Sequence, residues 1–558
     1  MRFKKVLSTS YFWFTIILLI LARLILTSDL SVEMTFSPWD DNLYIKRAYH
    51  LLIGEAFGPY DGRLFGKYLG ISIWISLIRF LGIPYFFAIN TTYILAGLYF
   101  SSTLLRFGVN KKVVLISFIL FLFNPITLGY EWVRILREPL STSLLVIIIA
   151  SVGQVIVGLW ERKVPWKHLF VFTVVFTFAQ YVREDDVILW VLLGLFLISV
   201  IFFVKRFRFY SLELIIFISA IAFLPIMTNI LFGYSLRTFV ENNYGQPILH
   251  EMSEGEFPRL LAAIRSIRTA KENRMVMVTQ ETLQKLQIAV PEFAPIVDRL
   301  PKPNSSSWSC TLHGVCSEWS NGWMPFMIKD SAFEAGLTPN MSVGQEYFKN
   351  IRLKIELACK DNRLECVERG GGLIPPMEFR WTRAFFTEGL RVVKMALAPD
   401  NNPIFKLPVT YHVPLAMGRI YQEVTMTHYF DTELQGRIGD LPTKRLFENP
   451  ISDYREKFVQ PYMVVMLVFI IVTLTMLMVN LWIVDQRASL SPLILTSLIF
   501  ILYFIIKIAA LSYVAVFMGG VTPRLLFPTY AVLTILVLPL LIENYKLNRF
   551  VNLEKIDS

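Results

Sequence analysis

The sequence predicts an α-helical polytopic membrane protein of about ten transmembrane helices, interrupted by an inserted extracytoplasmic domain of mixed, mainly helical character. Three observations predict it. Hydrophobic residues make up 54% of the 558 and charged residues 17%, with a mean hydropathy of +0.52. Stretches of the roughly 20 mostly apolar residues that a bilayer demands recur along the chain. Lysine and arginine then collect in alternate short loops, as the positive-inside bias requires.

The predicted spans are 10–28, 84–105, 112–129, 139–160, 166–182, 187–204, 211–233, 460–483, 492–517 and 524–542. Lys4 and Lys5 precede the first, but no small-residue cleavage site follows it, so it reads as an anchor rather than a cleaved signal. With the N-terminus inside, the inner loops carry Arg106, Lys111 and Lys112, then Arg162, Lys163 and Lys167, then Lys205, Arg206 and Arg208. Arg487, Lys546 and Arg549 continue the pattern. The formal charge of +11 is partly this bias. No basic stripe with interleaved aromatics points to nucleic acid.

Arg63–Leu81 is apolar enough to span, yet Arg63, Lys67, Ser72, Ser76 and Arg79 interrupt it at helical spacings. A crossing there would put the next three basic loops on the wrong side. The expectation is therefore an amphipathic helix lying in the outer interface. The chain divides into an N-terminal membrane module, 1–233, whose first outer loop and interfacial helix cover 29–83. A soluble extracytoplasmic domain, 234–458, and a C-terminal membrane part, 459–558, complete it.

Within the insertion, Gly255–Leu286, Ser342–Asn362 and Arg380–Leu397 show helical periodicity. Pro301–Met327 and Glu368–Met377 read as loops, and Val409–Val413 as a strand. All four cysteines, Cys310, Cys316, Cys359 and Cys366, fall here on the outer side. That placement fits one or two disulfides in an oxidising compartment, and the spacings are not those of a tight zinc site.

The outer ends of the helices hold the chemistry. Asp40 and Asp41 follow the first span, with Tyr44 a turn later. Glu131, Arg134, Arg137 and Glu138 fill the turn before the fourth, Arg183 and Glu184 the next outer turn, and Arg524 opens the last span. Each has an ordinary reading as a helix cap, a local ion pair, a solvated turn or a snorkelling arginine. Acids and arginines from four distant turns at one depth point instead to a polar site. Arginine forks match phosphate oxygens, a neighbouring carboxylate can take a proton from an attacking hydroxyl, and cations stabilise a departing phosphate. That combination suits group transfer from a lipid-linked donor.

The residues also match a pattern. Asp40-Asp41-Asn42-Leu43-Tyr44, then Ala48, Leu51-Leu52 and Gly54, resemble the acid pair and following helix of the GT-C superfamily of membrane glycosyltransferases. The nearest branch is that of the protein O-mannosyltransferases and aminoarabinose transferases. Phe80-Leu81-Gly82, Gly66-Lys67, Glu138-Pro139, and Arg524 with Pro528 fit the same pattern, over roughly 8–205 and more faintly 460–545. Gly62-Arg63-Leu64-Phe65 replaces the usual Pro-Pro pair, and the insertion matches no domain of the family. The resemblance implies a GT-C-like fold and an inverting transfer of sugar from a polyprenyl-phosphate donor to a hydroxyl of a glycan, lipid or protein acceptor.

On this reading Asp40 is the base and Asp41 orients it or the acceptor. Arg134, Arg137, Arg183, Arg524 and Lys67 face the donor phosphate, with Glu138, Glu131, Glu184 and Tyr44 in support. No cofactor is required, although magnesium or manganese bridged by Asp40, Asp41 and Glu138 would suit hard oxygen ligands. A bacterial plasma membrane with the site facing outward is expected, the endoplasmic reticulum being the alternative. A transporter or flippase, which would place charges near the bilayer midplane, and a non-catalytic scaffold are the rival functions.

Overall fold

The computed structural model describes residues 2–28, 32, 39–207, 212–269, 273–276, 278–303, 316–367, 374, 376–397, 415–426, 461–476, 491–518 and 522–556. Helices α1 (Arg2–Ser28), α4 (Tyr85–Arg106), α5 (Lys111–Leu122), α7 (Arg137–Trp160), α8 (Trp166–Ala179), α9 (Leu189–Phe207) and α10 (Leu212–Tyr244) form the N-terminal apolar set. Between them lie α2 (Asp41–Leu52), α3 (Gly70–Phe80) and the single turn α6 (Tyr130–Val133). The insertion supplies α11 (Glu256–Ser266), α12 (Gln280–Ala289), α13 (Ala294–Val297), α14 (Met324–Glu334), α15 (Met341–Lys360), α16 (Thr382–Leu397) and α17 (Leu415–Thr425). Helix α18 (Pro461–Met476), α19 (Pro492–Met518) and α20 (Phe527–Ile556) close the chain. Among the described residues β pairing is confined to isolated bridges, such as Ile267 with Cys366 and Asn273 with Val276.

Each predicted span is helical over most of its described residues, and among the described residues five helices are long and apolar enough to cross a membrane unaided: α1, α7, α10, α19 and the Pro523–Glu543 stretch. A sixth qualifies when α3 and α4 are taken together, a pair bent by 108°. The sharp bend separates α3 from the span that follows. Helix α3 is also shorter than the predicted 63–81, because Arg63–Leu69 is folded into turns.

Other boundaries moved for local reasons. Helix α5 stops at Leu122, not 129, because Pro125 opens a 3-10 turn that Asn124 caps through the Ile126 amide, 3.2 Å; a residue before proline disfavours helical geometry. Helix α10 continues past 233 to Tyr244, so the insertion begins on a helical stalk. The predicted helix 255–286 is two helices. Between them Ile267 bridges to Cys366 and Arg268 N–H donates to the Glu365 carbonyl at 2.8 Å; α12 then restarts on a Thr279 capping box. Pro301–Met327 was expected to be loop, but α14 starts at Met324 with Pro325 in its first turn, where proline's missing N–H costs nothing. Val409–Val413 and Cys310 lie outside the described residues.

Apolar burial divides the molecule unevenly. The largest cluster runs through α4, α5, α7, α8, α9, α19 and α20, with α7 almost wholly enclosed at its centre. A second cluster, from Met252 to Leu364 plus Trp39, is the insertion's own core. Val392 and Ala396 of α16, and Met417, Tyr421 and Val424 of α17, are buried in the first cluster rather than the second. Half the insertion therefore packs as a globule, and its later helices pack on the membrane bundle.

Candidate active site

Asp40 sits at the N-cap position of α2 but makes no capping hydrogen bond with its side chain. Its carboxylate faces Tyr44 Oη at 3.5 Å and Arg524 Nη2 at 3.6 Å instead. Asp41, wholly buried, accepts a two-pronged bond from Arg134: Nε to Oδ2 at 3.1 Å and Nη2 to Oδ1 at 3.2 Å. Such a fork is the strongest geometry for the pair. It ties the start of α2 to the segment between α6 and α7. The third nitrogen of Arg134 reaches Glu131 Oε2 at 3.2 Å.

Arg524 stands on the 3-10 turn Pro523–Leu526 that leads into α20. Its guanidinium lies among three carboxylates from three elements: Asp40, Glu131 at 3.4 Å and Glu138 at 3.8 Å. The other Glu138 oxygen, Oε2, is buried without a hydrogen-bond partner. Arg137, one residue before Glu138, pairs with Glu184 and lies 5.8 Å over the Tyr44 ring. Arg183 is buried beside Glu184 in the chain.

Lys67 completes the group from the loop before α3. That loop is held by Arg47 of α2, whose guanidinium donates to the carbonyls of Leu64, Lys67 (3.1 Å) and Tyr68 (3.3 Å). A Cβ on Gly66 would overlap the Trp39 ring and one on Gly70 the Tyr181 carbonyl, so both positions exclude a side chain.

The charges act on one another. Burial alone would raise the Asp40 pKa, but Lys67, Arg524, Arg137 and Arg134 outweigh it and hold the carboxyl below its ordinary value. Burial lowers the Lys67 ammonium, against the pull of Glu184. Glu184 is held far below the carboxylate range despite burial, by Arg137, Lys67 and His250. Burial pushes the Tyr44 phenol well up, so its proton stays available to Asp40. The centre thus presents an ionised, partly exposed carboxylate ringed by cations.

As placed, these carboxylates do not fit a divalent ion. Both oxygens of Asp41 are engaged by Arg134, and the Arg524 guanidinium holds the space between Asp40 and Glu138 where a metal would bridge them. Among the described residues no group of three or more His, Cys, Asp or Glu is arranged to hold a metal.

Five further residues matter that the sequence did not single out, all from the insertion. Asp330 of α14 accepts from Arg63 Nε at 2.7 Å and Nη2 at 3.0 Å, and from Trp39 Nε1 at 3.2 Å. Phe326, one turn earlier, meets the Trp39 ring edge-on at 4.6 Å and lies 5.3 Å from Lys67 Nζ. Buried Glu251 pairs with buried Lys329 at 2.5 Å and accepts from Tyr60 at 3.0 Å. His250 Nε2 lies 3.1 Å from the Gly66 carbonyl and 3.7 Å from Glu184. Burial pushes this imidazole down to about 4, so at neutral pH it is uncharged. No local motif marks these residues, because their partners lie from 66 to 291 positions away in the chain. The Cys359–Cys366 disulfide closes the end of α15, away from these contacts.

No family model and no curated protein matches the sequence. Among solved structures the chain is similar to the crystal structure of ArnT from Cupriavidus metallidurans bound to undecaprenyl phosphate. The two share 10% identity over 92% of this chain and 77% of that one, with a TM-score of 0.29.

Proposed function

We propose that the protein is a membrane glycosyltransferase that moves a sugar from a polyprenyl-phosphate donor to an acceptor hydroxyl. The observation that carries the reading is Asp40: an ionised carboxylate, freed from capping, partly open, and set against Arg524, Arg137 and Lys67. Asp40 takes the acceptor's proton as its oxygen attacks the anomeric carbon. The bond from that carbon to the phosphate oxygen breaks, and the electron pair leaves with the polyprenyl phosphate. Attack opposite the leaving group inverts the anomeric centre.

Arg524, Arg137 and Lys67 stabilise the charge growing on that phosphate. Asp41 holds Arg134, and with it the helix start that carries Glu138, so both are positioning groups. Glu138 Oε2 has acceptor capacity left for a sugar hydroxyl. The sequence resemblance stated above supports the same donor class, and the reaction needs no cofactor.

The basic inner loops support an outward-facing site, in a bacterial plasma membrane before an endoplasmic reticulum one. On the same reading the insertion 234–458 covers this site and selects the acceptor, with Asp330, Phe326 and His250 reaching residues beside it. Replacement Asp40→Asn in reconstituted protein should abolish sugar transfer while a polyprenyl phosphate still binds. Full turnover in that variant rejects Asp40 as the base. Solute flux without consumption of any lipid-linked sugar favours a transporter instead.

A further inference from the structure

Helix α16 lies in the insertion, yet its buried face belongs to the membrane bundle. Val392 and Ala396 belong to the same buried cluster as Leu511, Ala515 and Leu526, and α16 contacts α19 and the turn after it. Gly389 brings the backbone so near α19 that a Cβ there would stand 3.5 Å from Ser512 Oγ. Ser512 lies six residues inside the end of α19 at Met518, which at 1.5 Å per residue is about 9 Å along the axis.

The end of α19 is itself marked by polar contacts. Arg274 Nη1 donates to the Val516 carbonyl and Asn321 Nδ2 to the Phe517 carbonyl, both at 2.8 Å. These satisfy carbonyls that a helix terminus leaves open. The globular half of the insertion therefore meets α19 at its polar end, while α16 lies alongside the apolar part of the same helix. Arg274 also reaches Glu388 of α16 at 3.6 Å, which fixes that depth.

The opposite face of α16 is uncovered and has a definite composition. Phe386 is 64% exposed, Leu390 73%, and Phe379 in the preceding turn 94%. Arg383, Arg391 and Lys394 are exposed at helical spacings around them. Two large apolar side chains flanked by three cations, beside a spanning helix whose own Leu502 and Ile505 are exposed, form a surface that water serves poorly. A helix lying in the bilayer interface typically buries its apolar face by about 5–10 Å, comparable to the roughly 9 Å by which Ser512 lies inside the end of α19.

We propose that α16 is an in-plane membrane helix. Phe386 and Leu390 enter the acyl region, and Arg383, Arg391 and Lys394 bind anionic lipid headgroups. The partner is the bilayer itself. The helix also touches the Pro523–Leu526 turn that bears Arg524, so it forms a lipid-side wall next to the candidate site. This holds whatever reaction the site performs.

The test uses spin labels on Phe386→Cys and Leu390→Cys in the full chain, reconstituted in phosphatidylglycerol nanodiscs. Ile505→Cys is the lipid reference and Ile288→Cys, 83% exposed on the globular half, the aqueous one. No described cysteine is free to compete for label. The proposal expects both labels to match position 505, open to oxygen and closed to a water-soluble nickel complex. Labels as open to nickel as position 288 would overturn it, and so would labels closed to both reagents, which would mean a protein cover. The headgroup part has its own measurement. Replacing Arg383, Arg391 and Lys394 together by Gln should lower the phosphatidylglycerol retained in native mass spectra, and unchanged retention overturns that part.

Discussion

Arg524 of the turn before the last helix holds Nη2 3.6 Å from Oδ2 of Asp40 in the turn after the first. The two ends of the membrane part meet in this pair, and Glu131 and Glu138 share the same guanidinium. On the proposed reaction this cation would face the departing phosphate and Asp40 the attacking hydroxyl.

Replacing Arg524 by Ala should therefore lower kcat/KM by about 10²–10³, the cost typical of losing one charge-stabilising group. Lys should restore part of it, since it keeps the charge but not the fork. Steady-state kinetics with a lipid-linked sugar, read beside polyprenyl phosphate binding, checks this. Equal kinetics for wild type and the Ala variant would remove Arg524 from the site.

The pH profile tests who sets the charge of Asp40. Its pKa is held below the usual carboxylate value because Lys67 and the arginines outweigh burial. The acid limb of kcat/KM should accordingly fall below the ordinary carboxylate range, with no loss of the base between pH 7 and 5. Removing the cation in Lys67→Gln disfavours the ionised form, so the limb should move to higher pH. A limb that stays in place would mean that Lys67 does not act on the base.

His250 makes a stability prediction of definite sign. Its pKa falls from 6.5 to about 4 on folding because burial disfavours the charged ring, more than Glu184 can offset. The unfolded chain takes up a proton below pH 6.5 that the folded one refuses until about 4. Stability is therefore lost as pH falls through that window, by about 2 kcal/mol between pH 6.5 and 5. Melting temperatures at the two pH values should converge in His250→Gln relative to wild type. An unchanged difference would mean that the ring is charged in the fold.

Asp330 should behave as a positioning residue. Its carboxylate joins Arg63 and Trp39, the residue before Asp40. Asp330→Ala should cost about 1–3 kcal/mol of stability and lower kcat, while leaving the pH limb of Asp40 where it is. Combined with Arg63→Ala the losses should fall short of additive. Strict additivity would show that the two side chains do not act together.

Much of this was legible in the chain. Long apolar stretches can be satisfied in lipid only as helices, so the apolar segments at 84–105, 139–160 and 492–517 returned as α4, α7 and α19 almost residue for residue. Asp40, Asp41, Glu131, Arg134, Glu138 and Arg524 were each visible as charges at helix ends, and the structure brings them within salt-bridge reach. The boundaries that moved did so at Pro125, at the bridge from Ile267 to Cys366, and in the turns of Arg63–Leu69. Short-range contacts override hydropathy at such places.

The sequence by itself determined the class of molecule and which charges stand at its helix ends, because burial in lipid and the cost of a charge there act on each segment alone. Only the tertiary structure decided which charges meet, that Arg47 shapes the Lys67 loop, and that α14 holds Trp39 and Arg63 from the other side. It alone separated a globular half of the insertion from helices that lie on the bundle. The physical reason is range. Hydropathy is read within about 20 residues, whereas an ion pair forms between whichever side chains folding brings within a few ångströms.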